Sequence, residues 1–205
     1  MKWLLCACLL TATTAFAAQT KVLALAGSSR ADSYNKQLLQ EAVTIARQMG
    51  AQVTVIDLKD YPMPFYNADL ETSKGLPENA KRLRKLMMQS DVIIIASPEY
   101  NSSIPGELKN ALDWASRDEK GQFSKEAFQD KRFAIMSASP GKLGGARALV
   151  HLRSVIQAAG GTVIEQQVSI GSAHDYFGKT ARPENPELKS EIDALLHPQA
   201  VPSKT

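Results

Sequence analysis

Short apolar runs that end in glycine- and serine-rich loops alternate with segments of helical period, and this alternation constrains the fold most. Lys21-Val22-Leu23-Ala24-Leu25-Ala26 stops at Gly27-Ser28-Ser29 and reads as a buried strand. Tyr34 to Met49 puts Leu38, Leu39, Ala42, Val43, Ile45 and Ala46 on one side ahead of Gly50, the pattern of a helix with a glycine stop. Gln52 to Leu58 reads as a second strand. Lys59 to Gly75, carrying Pro62 and Pro64, is expected to be a long surface loop without regular structure. Pro77 opens a helix running to Gln89. Asp91-Val92-Ile93-Ile94-Ile95-Ala96 is the most apolar, β-branched run and reads as a central parallel strand. Pro105 opens a further helix with Leu108, Ala111, Leu112 and Ala115 inward. Arg132 to Ser137, Gly145 to Ala159 and Thr162 to Val168 then read as strand, helix and strand. Residues 187 to 196 form a last amphipathic helix, and a tail at 197–205 with Pro198 and Pro202 is expected to be flexible.

Parallel neighbours need right-handed crossovers, so five such alternations imply an α/β, three-layer, doubly wound, five-stranded parallel sheet. With five strands in one domain, residues 18–196, the order 2-1-3-4-5 fits better than a six-stranded dinucleotide fold. A ligand site is expected at the carboxyl ends of strands one and three, where the order reverses. The length of 205 residues and 44% hydrophobic content suit one domain with a sizeable core, and exclude a disordered or collagen-like chain. An aromatic content of 6% and a net charge of +3 give no case for a nucleic-acid partner or a polybasic membrane surface.

Both cysteines, Cys6 and Cys8, lie in a stretch with the order of an export signal. Lys2 supplies the positive end, Trp3 to Leu10 the apolar segment, and Ala15-Phe16-Ala17 an A-x-A cleavage site. The expectation is a signal peptide at 1–17, of the type that exports unfolded chains, and a periplasmic mature protein; an unprocessed leader would leave it cytoplasmic. The apolar run is too short to span a bilayer stably. Cleavage after Ala17 would leave no cysteine, excluding disulfides, thiol catalysis and thiolate metal sites. His151, His174 and His197 have no ligand-like spacing, so no metal site is expected.

Three loops fall at the functional edge. Gly27 to Asn35 offers the hydroxyls of Ser28, Ser29 and Ser33, the Arg30 guanidinium and a helix N-terminus, a set that fits a phosphate monoester or, alternatively, a serine-rich helix cap. Its glycine spacing matches neither the Walker loop nor G-x-G-x-x-G. Ser97 to Gly106 brackets Tyr100 and Asn101 between Pro98 and Pro105, a rigid loop able to face a planar heteroaromatic ring. Glu99 is its one carboxylate, open to a capping or an acid–base role. Ala138, Ser139 and Gly141 to Gly145 form a loop whose glycines let backbone approach a ligand edge.

These residues resemble the NADPH-dependent FMN reductase family, whose members include chromate, azo-dye and quinone reductases. The likeness rests on Gly27-Ser28-x-Arg30-x-x-Ser33-x-Asn35 and on Pro98-Glu99-Tyr100-Asn101-x-x-x-Pro105-Gly106-x-Leu108-Lys109-Asn110-Ala111-x-Asp113-Trp114, with Gly144-Gly145-x-Arg147-Ala148 and His151-Leu152-Arg153 beyond. It covers residues 21 to 178 and implies a flavodoxin-like fold binding FMN, with NAD(P)H as co-substrate. It implies that Ser28, Ser29, Arg30, Ser33 and Asn35 hold the FMN phosphate. Pro98, Glu99, Tyr100 and Asn101 would lie against the ring, and Ala138, Ser139 and Gly141 would close its other edge. Lys109, Asn110, Asp113 and Trp114 would be structural or part of a subunit interface, since homodimers and homotetramers are usual in the family. Arg147 would lie near a ligand phosphate or cap its helix. The activity implied is hydride transfer from NAD(P)H through FMN to a small acceptor (a quinone, free flavin, azo compound or metal oxyanion). The flavin carries the chemistry, and no catalytic side chain is named. The alternative is an exported, non-catalytic flavin-binding or electron-carrier protein served by a partner.

Overall fold

The computed structural model describes residues 19–178 and 184–197. The leader expected at 1–17, and the expected tail apart from His197, lie outside the described residues. Strands β1 (Lys21–Ala26), β2 (Gln52–Asp57), β3 (Val92–Ala96), β4 (Arg132–Ala138), β5 (Thr162–Val163) and β6 (Val168–Ile170) form one parallel sheet. Its order is β2-β1-β3-β4-β5, with β6 also paired to β4. Helices α1 (Tyr34–Gln48), α2 (Ala68–Lys74), α3 (Glu78–Met88), α4 (Gly106–Ala115), α5 (Ala146–Ala158), α6 (Ala173–Phe177) and α7 (Pro186–Leu196) complete the chain.

Strand alternation sorts the core into two layers. Val22, Ala24, Ala26, Val92, Ile94, Ala96, Ala134 and Met136 face Leu38, Leu39, Val43, Leu188 and Ile192 of α1 and α7. Leu23, Leu25, Ile93, Ile95, Phe133 and Ile135 face Leu83, Met87, Leu108, Leu112, Leu149 and Leu152 of α3, α4 and α5. All five residues of β3 are buried, as its unbroken apolar run requires of a central strand. β2 is an edge strand with Gln52, Thr54 and Val55 exposed.

Two expectations are corrected. The fifth strand is not continuous. Val163 pairs with Phe133 and Val168 with Met136, so four intervening residues oppose two on β4, a bulge in the edge of the sheet. Arg153 on α5 satisfies the freed carbonyls, donating to Val163 O, Ile164 O at 2.9 Å and Glu165 O, and to the Gln167 side chain. The segment 59–75 is also more regular than its prolines imply: a 3-10 turn covers Leu58–Asp60 and α2 follows. The Asn67 side chain caps α2 by accepting from Asp69 N and Leu70 N at 2.8 and 3.0 Å, and Gly75 ends it at φ 72°.

Candidate functional site

The sheet's carboxyl edge ties all three sequence-derived loops together. Gly27 N donates to Ala96 O and Ser97 N to Met136 O, both at 2.8 Å, so each loop leaves its strand in register with the next. Gly27 is a matter of close packing rather than of an unusual turn, because a Cβ there would lie 2.7 Å from Leu108 Cδ2 of α4. Ser28 is buried and its Oγ accepts from Arg30 N at 3.3 Å, while Ser29 N donates to Glu107 Oε1 at 2.8 Å. Ser29 and Arg30 are exposed.

The loop then enters α1 at Ser33, a buried N-cap whose hydroxyl makes no capping bond. The first turn of α1 contains no acid. Asp69, Glu78, Glu107, Asp175 and Glu187 occupy the first turns of α2, α3, α4, α6 and α7. α5 borrows a carboxylate, since Glu99 Oε2 accepts from Ala148 N at 3.0 Å. The amino end of α1 is therefore left with its positive dipole end not offset by a first-turn acid and with an N-cap hydroxyl that makes no capping bond. Asn35 plays a different part. Its amide donates to Ala138 O at 2.8 Å and accepts from Ala138 N at 2.9 Å, so it clasps the first loop to the third.

The second loop is a two-residue hairpin. Tyr100 N donates to Ser103 O, Ser103 N donates to Tyr100 O, and Asn101 and Ser102 sit at φ 50° and 63°. These are the features of a type I′ turn, built here without glycine, at a cost of about 1–2 kcal/mol per left-handed residue. Pro98 is buried, Glu99 half-buried, Asn101 exposed and Tyr100 48% exposed, so the phenol is presented rather than packed away. Arg147 neither caps its helix nor stands free: its guanidinium donates to Ser102 Oγ at 3.5 Å. His151 Nδ1 lies 3.0 Å from Ser103 Oγ.

The third loop is pinned by Ser139, whose N donates to Ile170 O, whose O accepts from Ala173 N, and whose Oγ accepts from Gly141 N at 3.2 Å. Ala138 is buried, Ser139 half-buried and Gly141 exposed. The glycines after it serve protein packing: a Cβ on Gly145, at φ 87°, would sit 1.9 Å from Ser137 Oγ, and one on Gly144 would be 2.8 Å from the Ile170–Gly171 backbone. The expectation that all three glycines open room for a ligand holds at most for exposed Gly141.

Beside the first loop lies a cavity of about 280 Å³ lined by residues that include Lys59, Tyr61, Met63, Phe65 and Glu107. The strap over it is held by Asn110 and Trp114 of α4. Asn110 accepts from Tyr66 N at 2.8 Å and donates to Pro64 O, and Trp114 Nε1 also donates to Pro64 O at 2.7 Å. Asn110 and Trp114 are thus structural, while Lys109 and Asp113 pair with each other along the helix. Sequence reasoning missed Glu107, Arg147 and His151 as partners of the loops; their spacing from the loops in the chain carries no signal of contact.

The doubly wound sheet, an open helix N-terminus at the first strand and two further loops converging at the strand-order reversal define a class: an α/β domain that binds a phosphate-bearing planar cofactor. Residues 20–175 match the family model described as NADPH-dependent FMN reductase, and the chain belongs to that family. A NAD(P)H:quinone oxidoreductase of Solanum tuberosum is 41% identical over 137 residues, covering 66% of each chain. A NAD(P)H-dependent FMN reductase of Pseudomonas aeruginosa is 40% identical over 136 residues, 66% of this chain and 69% of that one. The chain therefore spans 66% of the potato protein's length, just under two thirds. Among solved structures, FerB, a flavoenzyme NAD(P)H:(acceptor) oxidoreductase from Paracoccus denitrificans, superposes with a TM-score of 0.71 at 27% identity, covering 86% of this chain and 95% of its own. The family's description names FMN and NADPH.

Proposed function

We propose that this protein is an FMN-dependent oxidoreductase that passes hydride from NAD(P)H to a small acceptor such as a quinone, free flavin, azo compound or metal oxyanion. The observation that carries this reading is the amino end of α1, where the buried N-cap Ser33 makes no capping bond and the first turn holds no carboxylate. Ser28, Ser29, Arg30 and Ser33 hold the FMN phosphate there, and Arg30 offsets its charge. Asn35 orders the pocket by clasping Ala138. Tyr100 and Asn101, on a turn that leaves them exposed, offer an aromatic face and an amide to the ring, with Pro98 and Glu99 supporting the turn beneath. Ala138, Ser139 and Gly141 bound the opposite edge. Bound FMN supplies hydride acceptance and release, while the protein supplies position and shielding.

Two further elements of the reading have support of their own. The apolar, weakly charged stretch ahead of the A-x-A site precedes β1 and lies outside the matched residues, which supports export to the periplasm. Exposed Val150 of α5 and the groove between α4 and α5 lined by Ile104 and Val155 supply an apolar face for a second copy, in a homodimer or homotetramer. No helix among the described residues is long and apolar enough to cross a membrane.

One preparation tests the whole reading. Protein recovered from its native host is expected to be yellow, to release FMN on denaturation and to oxidise NAD(P)H with a quinone. Its amino terminus should begin after Ala17, and light scattering should give a multiple of the chain mass. A protein that binds FMN tightly yet shows no steady-state NAD(P)H turnover would replace the enzyme with an electron carrier.

A further inference from the structure

We propose that the opening turns of α5, through the Arg147 and His151 side chains and the Ala148 N–H, are the template that fixes the hairpin Tyr100–Ser103, with His151 as its positioning residue. The inference rests on the reading that this hairpin faces flavin. Two consecutive non-glycine residues in the left-handed region do not persist unless their surroundings over-determine them. The surroundings here are three contacts from one helix. Ala148 N donates to Glu99 Oε2, Arg147 donates to Ser102 Oγ, and His151 Nδ1 meets Ser103 Oγ. His151 follows Arg147 and Ala148 by four and three positions, about one turn along the helix, and Ala148 contributes its backbone N–H, so the opening turns of α5 meet three residues of the 99–103 segment.

His151 has the most leverage of the three. Ser103 is the residue whose backbone closes the hairpin on Tyr100 in both directions, so the placement of Ser103 is the placement of Tyr100. The imidazole is exposed at the rim of a cavity of about 430 Å³ between α4 and α5. Its ring is therefore not wedged by core packing, and the contact with Ser103 is what links it to the loop. Either neutral tautomer can make that bond, with Nδ1 accepting from the serine hydroxyl or donating to it.

The test is FMN titration of the full-length wild type, His151→Ala, His151→Asn, Ser103→Ala and the His151→Ala/Ser103→Ala pair, with the circular dichroism of the bound flavin's visible bands recorded alongside. His151→Ala and Ser103→Ala should each raise the FMN Kd about three- to tenfold, the effect of one lost hydrogen bond. They should change the flavin dichroism in the same way, and the double variant should be no worse than either alone. His151→Asn keeps a polar atom near the Nδ1 position and should recover most of the wild-type dichroism. His151 is exposed and Ser103 half-buried outside the core, so melting temperatures should stay close to wild type, and a general loss of fold would show there. If the wild type binds FMN and His151→Ala matches it in affinity and dichroism, the positioning role is overturned; additive losses overturn it as well. A wild type that binds no FMN overturns the flavin reading and this one with it.

Discussion

Arg30 and Asn35 stand five positions apart in one motif, yet the structure gives them opposite kinds of work. The Arg30 guanidinium is exposed and makes no hydrogen bond or ion pair among the described residues, so its removal disturbs nothing in the fold. Asn35 is buried and spends both ends of its amide on Ala138. Arg30→Ala should therefore weaken FMN binding by about 1.5–3 kcal/mol, the value of a hydrogen bond to a charged group, with an unchanged melting temperature. Asn35→Ala should show its first effect in thermal melting of the flavin-free protein, since it strands the Ala138 N–H and C=O at a cost of about 1–3 kcal/mol. Calorimetric titration with FMN and a thermal melt of each variant separate the two, and an Arg30→Ala protein with intact affinity would remove that residue from the phosphate site. In sequence these two residues look alike, because a motif shows which polar groups are near a loop but not which are already satisfied.

Regular elements were legible where apolar periodicity wrote them, and illegible where a side chain from far along the chain decides the backbone. The five helices built on that periodicity, α1, α3, α4, α5 and α7, start and stop within about two residues of where caps, prolines and glycines put them. The segment 59–75 failed because Pro62 and Pro64 dominate its local reading, whereas Asn67 starts α2 and α4 pins the strap from 44 to 50 positions away. The edge-strand bulge failed because a side chain on the preceding helix, Arg153 of α5, satisfies the carbonyls it frees, a contact that local periodicity does not show. The Arg117 guanidinium completes this region, gripping Glu71 at 2.9 Å and holding its carboxyl below the usual carboxylate range, with burial opposing. The strap should then respond to its clamp rather than to its exposed residue. Asn110→Ala leaves the Tyr66 N–H without its acceptor and should cost about 1–3 kcal/mol, with faster proteolytic cleavage between residues 61 and 67. Phe65→Ala, at a site 80% exposed, should change stability by no more than about 0.5 kcal/mol. Equal cleavage rates in Asn110→Ala and wild type would show that the strap does not depend on this clamp.

At the scale of the molecule, one buried acid couples the stability of the whole fold to pH. Glu191 of α7 has no exposed surface, and neither of its carboxyl oxygens completes a hydrogen bond. Burial pushes its pKa up to about 9, against the lesser opposing influence of the Ile135 N–H and the Arg153 guanidinium. Glu191 thus enters the fold as the neutral acid from the helix layer that closes one side of the sheet. In the unfolded chain its pKa returns to 4.5, so above that pH the unfolded state gains a carboxylate that the folded state cannot match. The stability associated with the neutral acid is fully present below pH 4.5 and is lost progressively as pH rises toward about 9. Glu191→Gln has nearly the same shape and no proton to lose. Its melting temperature should be close to wild type at pH 5 and exceed it by several degrees at pH 8, the gap widening steadily between. The reverse sign, with Gln less stable as pH rises, would mean that the folded protein holds Glu191 as a paired carboxylate, with Arg153 as its counter-charge. A constant gap at every pH would remove Glu191 as the source of the dependence. Flavin binding should feel the same titration, because α7 packs on α1, the helix whose amino end is assigned to the FMN phosphate. An alkaline medium that loosens α7 should therefore lower flavin retention in the wild type, and Glu191→Gln should restore it.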